Sequence, residues 1–203
     1  MIRMFALVLG AAVPLLAGEG AMSPAERAYL LEQLESSKKE MLASLKGVSA
    51  AQWTYKPAPT VWSVQECAEH IILAEEYIFG GVQQLLKTPA VERPAGSTPE
   101  KDRTLVAMVK DRSKKVTAPE AIVPSGKFAT PADAAREFAA RRDKSIDYVK
   151  TTNDDLRIHQ GPGPVGPMDA YQGLLLMAAH SSRHTAQILA VKGNKEYPKA
   201  TAE

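Results

Sequence analysis

The segment Met177-Ala-Ala-His180-Ser-Ser-Arg-His184-Thr-Ala-Gln187 decides the predicted fold and the candidate site together. Two histidines four positions apart on a helix lie one turn above each other, with Cβ atoms about 6 Å apart. At about 100° per residue both fall on one stripe of the helix, so both imidazoles are predicted to point into the protein. The same stripe carries Asp169, Gly173, Leu176, Gln187 and Val191. A buried imidazole needs partners for its ring nitrogens, and a shared metal ion supplies one.

A second helix carries the candidate third ligand, His70. Ser63 and Glu66 form a capping box, which predicts a helix from Val64 to about Lys87. One face of this helix collects Glu66, Cys67, His70, Leu73, Ala74 and Tyr77. Taken alone, each histidine is more simply a core residue that bonds a carboxylate or carbonyl. Three of the chain's four histidines lie on inward faces of capped helices, however, and this favours a metal site.

The remaining capping signals predict the fold class. Ser23-Pro-Ala-Glu26 opens a first long helix that Gly47 can end, and Thr130-Pro-Ala-Asp133 opens a third through about Val149. A fourth long helix is predicted from Met168 to Lys192, and a short, mostly solvated one from Pro99 to Lys115. No strand is predicted. Four long amphipathic helices joined by loops indicate an all-α four-helix bundle.

Two loops are predicted to lack regular structure because of their prolines and glycines: residues 48–62 and 151–167. The first contains both tryptophans of the chain, Trp53 and Trp62. Large aromatic side chains are mostly buried, so we expect both to close one end of the bundle rather than to stack on a ligand.

The last helix also has apolar residues away from the histidine stripe: Leu174, Leu175 and Leu189. A helix that is apolar on several sides is usually buried on several sides. This breadth predicts packing against a second copy of the chain, as a homodimer.

The N-terminus has the pattern of a secretory signal peptide. Arg3 precedes an apolar run from Met4 to Leu16, and the small residues Ala17, Gly18, Gly20 and Ala21 follow. The run is shorter than the roughly 20 residues of an ordinary membrane span, although an uncleaved anchor is the alternative. We therefore expect a signal peptide over residues 1–21 and a mature domain over 22–203. That domain would be periplasmic or secreted, without stable membrane insertion.

Composition argues against nucleic-acid binding and against a disulfide-rich fold. The 203 residues fit one domain, and 25 basic against 23 acidic residues give no strong attraction to nucleic acid. A single cysteine, Cys67, rules out an internal disulfide framework.

Two motifs resemble those of a known family. Trp62-Ser-Val-Gln-Glu-Cys-Ala-Glu-His70, preceded by a Trp/Pro loop, and His180-Ser-Ser-Arg-His184-Thr-Ala-Gln187 resemble motifs of the DinB-like (DinB/YfiT-type) superfamily. The resemblance implies a four-helix bundle with a long crossover connection, often dimeric, with a divalent metal on His70, His180 and His184. Members include thiol-dependent transferases and isomerases that use mycothiol or bacillithiol. A secretory signal departs from the better-known cytoplasmic members and argues against these thiol cosubstrates, which are mainly cytoplasmic.

The predicted donor set limits the chemistry. Three neutral imidazoles leave at least one coordination position open, as in catalytic zinc sites, and zinc, nickel or iron would accept them. The sequence therefore predicts a metal-dependent hydrolase or thiol-dependent transferase that acts on an unidentified small molecule. A non-catalytic metal- or ligand-binding bundle is the alternative.

Four residues near the predicted ligands are candidates for supporting roles. Glu66 and Tyr77, one turn before and two turns after His70, are candidates for proton transfer, with helix capping and core packing as their simpler roles. Gln187 and Cys67 are candidates for contact with the ligands, with a buried apolar role preferred for the cysteine. His159, in a Gly/Pro-rich loop, is expected at the surface.

Overall fold

The computed structural model describes residues 22–94, 97–164 and 166–199; the predicted signal peptide, residues 1–21, lies outside them. The α-helices are α1 (Pro24–Leu45), α2 (Ala50–Thr54), α3 (Val64–Leu85), α4 (Pro99–Lys110), α5 (Pro131–Thr151) and α6 (Ala170–Lys192). A 3-10 turn spans Glu120–Ile122, and two strands form β1 (Gln160–Gly163) and β2 (Gly166–Asp169). The four long helices α1, α3, α5 and α6 form the predicted all-α bundle.

The long helices begin at side-chain caps. The side chains of Ser23 and Ser63 each accept a hydrogen bond from the backbone N–H three residues on. In each case the side chain of the glutamate at that position accepts from the backbone N–H of the serine. Thr130 caps α5 by accepting the Asp133 N–H, but the predicted capping box is incomplete, because the Asp133 side chain accepts from the Thr130 hydroxyl and not from its backbone N–H. Helix α6 begins two residues later than predicted, because Asp169 is its N-cap. Each cap satisfies N–H groups that the helix itself leaves unpaired.

The four long helices α1, α3, α5 and α6 run up, down, down and up, in that order. One apolar cluster joins the start of α1 to the ends of α3 and α5, and a second joins the end of α1 to the starts of α3 and α5. Helices α1 and α3 each pack against both α5 and α6. The neighbours α3 and α5 are therefore parallel, so the chain between them, residues 86–130, must return along the bundle. Helix α4 lies on this crossover connection and packs against α6.

A buried ion pair separates the two apolar clusters. The Arg142 guanidinium donates from Nε to Oε2 of Glu75 at 2.8 Å, and Ser181 Oγ donates to the same carboxylate at 2.8 Å. Arg142 also donates to Ser37 Oγ and, at 2.8 Å, to the Leu34 carbonyl of α1. This polar layer contacts all four long helices, and its groups are hydrogen-bonded as buried charges require.

A second buried charge network ties the crossover to the bundle. Arg157 is fully buried and contacts Glu26 of α1, Asp102 of α4 and Asp169 before α6; we call these four residues the Arg157 cluster. The guanidinium also lies 3.7 Å from the centroid of the Tyr171 ring. The prediction of a mostly solvated helix from Pro99 to Lys115 is therefore partly wrong. Helix α4 ends at Lys110, and its Asp102 side chain is buried in this cluster.

Both loops predicted to lack regular structure contain some. In residues 151–167 and just beyond, β1 and β2 pair antiparallel, with Pro162 opposite Pro167. A two-stranded ribbon has two free edges, so a proline can stand where no ladder bond is needed. In residues 48–62, Ser49 and Gln52 form a capping box that starts α2. The prolines at 57 and 59 follow this helix and do not prevent it.

The surface of α6 gives the structural background to the homodimer prediction. Leu174 and Leu175 are fully buried within the single chain, whereas Leu189 is 54% exposed. Contacts with α1, α3 and α4 thus use most of the broad apolar surface of α6. The dimer stays a prediction. Within the described residues, every helix is too short or too polar to cross a membrane.

Candidate metal centre

The bundle brings His70, His180 and His184 together. One nitrogen of each lies within 4.8 Å of the others. His70 comes from the first turns of α3, and the other two come from α6, which packs against α3. The two helices approach closely at Gly173, where a Cβ atom would lie 2.7 Å from Cγ2 of Val82. The three-histidine arrangement therefore depends on close packing of two distant segments.

Hydrogen bonds fix the tautomers of two imidazoles. His70 Nδ1 lies 2.7 Å from the Ile122 carbonyl oxygen in the crossover connection. A carbonyl only accepts, so Nδ1 carries the proton and Nε2 keeps its lone pair. His184 Nδ1 lies 3.0 Å from the side-chain oxygen of Gln187, which has the same effect. Both histidines thus present Nε2 as the ligand nitrogen, as metal-bound histidines do when their other nitrogen is oriented by an acceptor.

His180 has a different environment. Its Nε2 lies 3.1 Å from Nε2 of His70, and its Nδ1 is buried without a partner among the described residues. Because Nε2 of His70 has no proton, the metal-free arrangement requires His180 Nε2–H to donate. Two nitrogens on a tetrahedral zinc ion with bonds of 2.0–2.1 Å are about 3.3 Å apart, close to this separation. The residues present therefore fit a metal ion in place of that proton.

Burial keeps these imidazoles neutral. Desolvation lowers the pKa of His70, and it lowers that of His180 well below its ordinary value, with the neighbouring His184 and His70 adding to the effect. Desolvation and the charge of His70 lower the pKa of His184 to about 3, although its bond to Gln187 opposes them. Neutral imidazole is the metal-binding form, so the cluster needs no deprotonation near pH 7.

The described residues supply no fourth metal ligand to this cluster, which contains no cysteine or carboxylate. Cys67 is fully buried in the apolar cluster at this end of the bundle. Burial, together with the charge of Glu66, raises the pKa of its thiol to about 12. The protonated thiol fills space as a small apolar group. A metal ion here would retain an open position, as in catalytic zinc sites.

The structure shows the surroundings of the two proton-transfer candidates, Glu66 and Tyr77. Glu66 accepts from the Ser63 N–H at 2.7 Å and from Lys56 Nζ at 2.7 Å. Burial raises its pKa, but these bonds outweigh burial and the net pKa is lowered, so the carboxylate is a weak base. Tyr77 is 54% exposed, and its interpretation as a core residue is wrong.

The tryptophans have separate roles. Trp53 is buried and its indole N–H donates to the Phe128 carbonyl at 3.1 Å, closing the end of the bundle as predicted. Trp62 is partly exposed, and its ring centroid lies 4.8 Å from that of His70 and 6.1 Å from that of His184. Trp62 also packs against the apolar cluster at this end of the bundle, as predicted. The prediction is incomplete, because the Trp62 ring also forms a wall of the histidine cluster.

Two groups near the centre were not predicted from sequence. The Ile122 carbonyl cannot be predicted from residue types, since any residue there offers one. Glu69, fully buried beside His70, had one signal: it is a charged residue in the stretch from Cys67 to Ile72, which is apolar apart from His70. His159 lies outside the cluster, partly exposed, with Nδ1 2.9 Å from the Thr88 carbonyl oxygen.

Comparison with known proteins agrees with this architecture. The structure is similar to YfiT from Bacillus subtilis, described as a probable metal-dependent hydrolase with an unusual four-helix bundle topology. The TM-score is 0.57 at 14% sequence identity, over 91% of this chain and 93% of YfiT, so the likeness shows the fold alone. No curated protein matches the sequence significantly. The family model of the DinB superfamily matches residues 33–188, and the chain therefore belongs to that superfamily.

Proposed function

We propose that this protein binds one divalent metal ion through His70, His180 and His184 and acts as a metal-dependent hydrolase. The observation that carries the proposal is the convergence of three neutral imidazoles without a fourth ligand from the described residues. Catalytic zinc sites combine three protein ligands with an open position in this way, whereas structural sites are closed by four. The fold shared with YfiT, a probable metal-dependent hydrolase, supports the same conclusion.

The protein's own residues prepare the site for this chemistry. When bound, the ion would act as a Lewis acid and lower the pKa of a water in its open position to about 7. The Ile122 carbonyl and Gln187 hold His70 and His184 with Nε2 toward the centre. The Trp62 ring covers one side of the imidazoles. These contacts orient the ligands and limit the access of bulk water.

The donor set leaves the choice of metal to zinc, nickel or iron, since each accepts imidazole. A thiol-dependent transferase would use the same open position for a substrate thiol. Cys67 cannot supply that thiol, because it is fully buried with a raised pKa. The thiol would have to come from a small-molecule cosubstrate.

A second candidate function is non-catalytic binding of a metal or small ligand. One observation favours it: Glu66, the carboxylate named as a candidate for proton transfer, is hydrogen-bonded to Ser63 and Lys56. Hydrolases commonly place a free general base within hydrogen-bond reach of the attacked group or its water. A site without turnover would need no such base.

Activity and metal dependence together test the proposal. Residues 22–203, produced without a histidine tag, would be stripped with a chelator and reloaded with zinc, nickel or iron. Ester, amide and thiol-adduct substrates would be assayed before and after reloading. Turnover that returns with metal and is absent in His184→Ala supports the hydrolase. Tight metal binding without turnover over the whole panel supports the non-catalytic alternative.

We also propose that the domain acts outside the cytoplasm. The support is the signal-like composition of residues 1–21, with Arg3 before the apolar run from Met4 to Leu16. Expression of the full chain in a bacterial host, with fractionation and N-terminal sequencing, tests this. A cytoplasmic product that still begins at Met1 would contradict it.

A further inference from the structure

Glu69 binds the loop that follows the 3-10 turn of the crossover connection. Its carboxylate is fully buried and accepts four hydrogen bonds. Three come from the backbone N–H groups of Ser125, Gly126 and Lys127, at 2.9, 2.7 and 2.9 Å, and one from the Ser125 hydroxyl at 3.0 Å. Hydrogen bonds to an ionised carboxylate are among the stronger ones in proteins, so this loop is held firmly on α3.

The loop has the backbone shape of an anion-binding nest. Three successive N–H groups converge on one carboxylate, and Gly126 has φ +85° between them. Such a left-handed residue turns consecutive amides toward a common point. A Cβ atom at Gly126 would meet no other atom within 4 Å, so only the backbone conformation, and not space, favours glycine there. Here the bound anion is the protein's own Glu69.

This loop is continuous with the group that orients His70. Ile122, whose carbonyl accepts from His70 Nδ1, lies three residues before Ser125, and Pro124 stiffens the chain between them. On α3, Glu69 and His70 are adjacent. One segment of α3 therefore binds the loop twice: Glu69 accepts from the loop's N–H groups, and His70 donates to the loop's Ile122 carbonyl.

We propose that Glu69 is a positioning residue of the metal centre. By binding residues 125–127 it places the Ile122 carbonyl against His70 and thereby makes Nε2 the ligand nitrogen. This rests on the proposed metal-binding function and deepens it. We call the hydrogen bonds from residues 125–127 to the Glu69 carboxylate the Glu69 clamp. Without this clamp, His70 Nδ1 would lose its fixed acceptor, and both tautomers and other ring orientations would be populated.

Two substitutions break the clamp from opposite sides. Glu69→Gln removes the charge and replaces one acceptor oxygen with a donor, and Gly126→Ala disfavours the left-handed conformation. Gly47→Ala is the matched control. Gly47 also has positive φ, at +69°, with no atom within 4 Å of an added Cβ, but it lies just beyond the end of α1. It should lower thermal stability about as much as Gly126→Ala, without contact with the metal centre.

The first readout is the His70 tautomer in metal-free protein, from NMR of nitrogen-15-labelled histidine. We expect Nδ1–H in the wild type and in Gly47→Ala, and a mixture of tautomers in both clamp variants. The second readout is zinc affinity by chelator competition. Loss of an outer partner of a ligating histidine costs about 10- to 100-fold in affinity, so each clamp variant should bind at least about tenfold more weakly. The variant that combines Glu69→Gln with Gly126→Ala should bind zinc no more weakly than whichever single variant binds it more weakly, since both substitutions break the same clamp.

The inference is overturned if both clamp variants melt earlier but keep the wild-type tautomer and zinc affinity, because Glu69 would then have a structural role alone. If Glu69→Gln does not fold, Gly126→Ala decides the matter in the same assays. The tautomer is recorded without metal. If the wild type binds no zinc, the proposed function fails, and the spectrum still decides whether Glu69 orients His70.

Discussion

The Nε2 atoms of His70 and His180 lie 3.1 Å apart, although 110 positions separate the two residues in sequence. One nitrogen must donate a proton to the other in the metal-free protein. A metal ion between them would replace this single hydrogen bond with two coordinate bonds, and the shift of the His180 proton from Nε2 to Nδ1 would keep that imidazole neutral. The short separation therefore makes metal content the most direct measurement on this protein.

We predict that the tag-free domain holds about one zinc, nickel or iron ion per chain, as a single site with three protein ligands requires. His180→Ala should lose this metal, because two remaining imidazoles bind too weakly to retain it through dialysis. His159→Ala is the matched control, since this fourth histidine lies outside the cluster. Elemental analysis of the three proteins measures the outcome. Equal metal in wild type and His180→Ala, or none in any protein after dialysis against these ions, would contradict the prediction.

The sequence predicted the three histidines of the cluster well because each lies on a helix whose cap sets its start and whose period sets its inward face. Spacing on α6 placed His180 and His184 one turn apart, and the capping box of Ser63 set the phase of His70. The Ile122 carbonyl and the loop bound by Glu69 were not predictable. They depend on where the crossover connection returns, which no local period encodes.

The fold, too, was predicted well where the sequence signals are local and poorly where a feature depends on distant residues. Strong local signals, such as the boxes at Ser23 and Ser63, set the long helices to within a few residues. The β1–β2 hairpin was missed because its strands consist largely of glycine and proline, which show no alternation of apolar and polar residues. Asp102 was assigned to a solvated face because Arg157, its partner, lies 55 positions away, and burial of a charge depends on such a distant partner.

Trp62 should report metal binding through its fluorescence. Its ring lies against His70 and His184, whereas Trp53 is buried in the apolar end of the bundle. Coordination of the imidazoles changes the charge next to the Trp62 ring, so addition of metal should change the emission of the wild type. Trp62→Phe should remove most of this change and leave the Trp53 signal. A metal-induced change of the same size in Trp62→Phe would place the ion elsewhere.

The buried Arg142–Glu75 pair should be costly to break on one side. Arg142→Met leaves the Glu75 carboxylate without its cation, and loss of one partner of a buried ion pair costs about 3–5 kcal/mol. Replacement of both, with Glu75→Leu added, should recover much of this loss because no unpaired charge remains. Urea unfolding followed by circular dichroism measures the free energies of unfolding. The idea fails if Arg142→Met is as stable as the double variant.

Gly173 should be intolerant of a larger residue because α3 and α6 touch there. A Cβ atom would lie 2.7 Å from Cγ2 of Val82, so Gly173→Ala should lower the free energy of unfolding by about 1–3 kcal/mol, as overpacked cores do. Val82→Ala in the same chain should recover part of the loss. Gly81→Ala is the control: its Cβ would meet no atom within 4 Å, so better helix propensity should raise stability by about 0.5–1 kcal/mol. Equal effects at both glycines would argue against the close contact.

The acid sensitivity of the fold should depend on Glu26 in the Arg157 cluster. Burial opposes ionisation of this carboxyl, but hydrogen bonds from Ser23 and the charge of Arg157 outweigh burial and lower its pKa from 4.5 to about 2. A carboxyl with a lowered folded-state pKa stabilises the protein fully above its unfolded value. That stabilisation is lost as the pH falls from about 4.5 toward 2, and at most it amounts to roughly 3 kcal/mol.

Glu26→Gln should therefore be less stable than the wild type at pH 7, and the difference between the two should shrink as the pH falls below about 4.5. Burial raises the pKa of the neighbouring Asp169, which acts in the opposite direction in both proteins and largely cancels in the comparison. Glu35→Gln is the control, because the Glu35 side chain is 55% exposed in its pair with Lys150. Urea unfolding at steps between pH 7 and pH 3 gives both differences. A Glu26→Gln difference that stays constant over this range would show that Glu26 stabilises the fold by packing rather than by its charge.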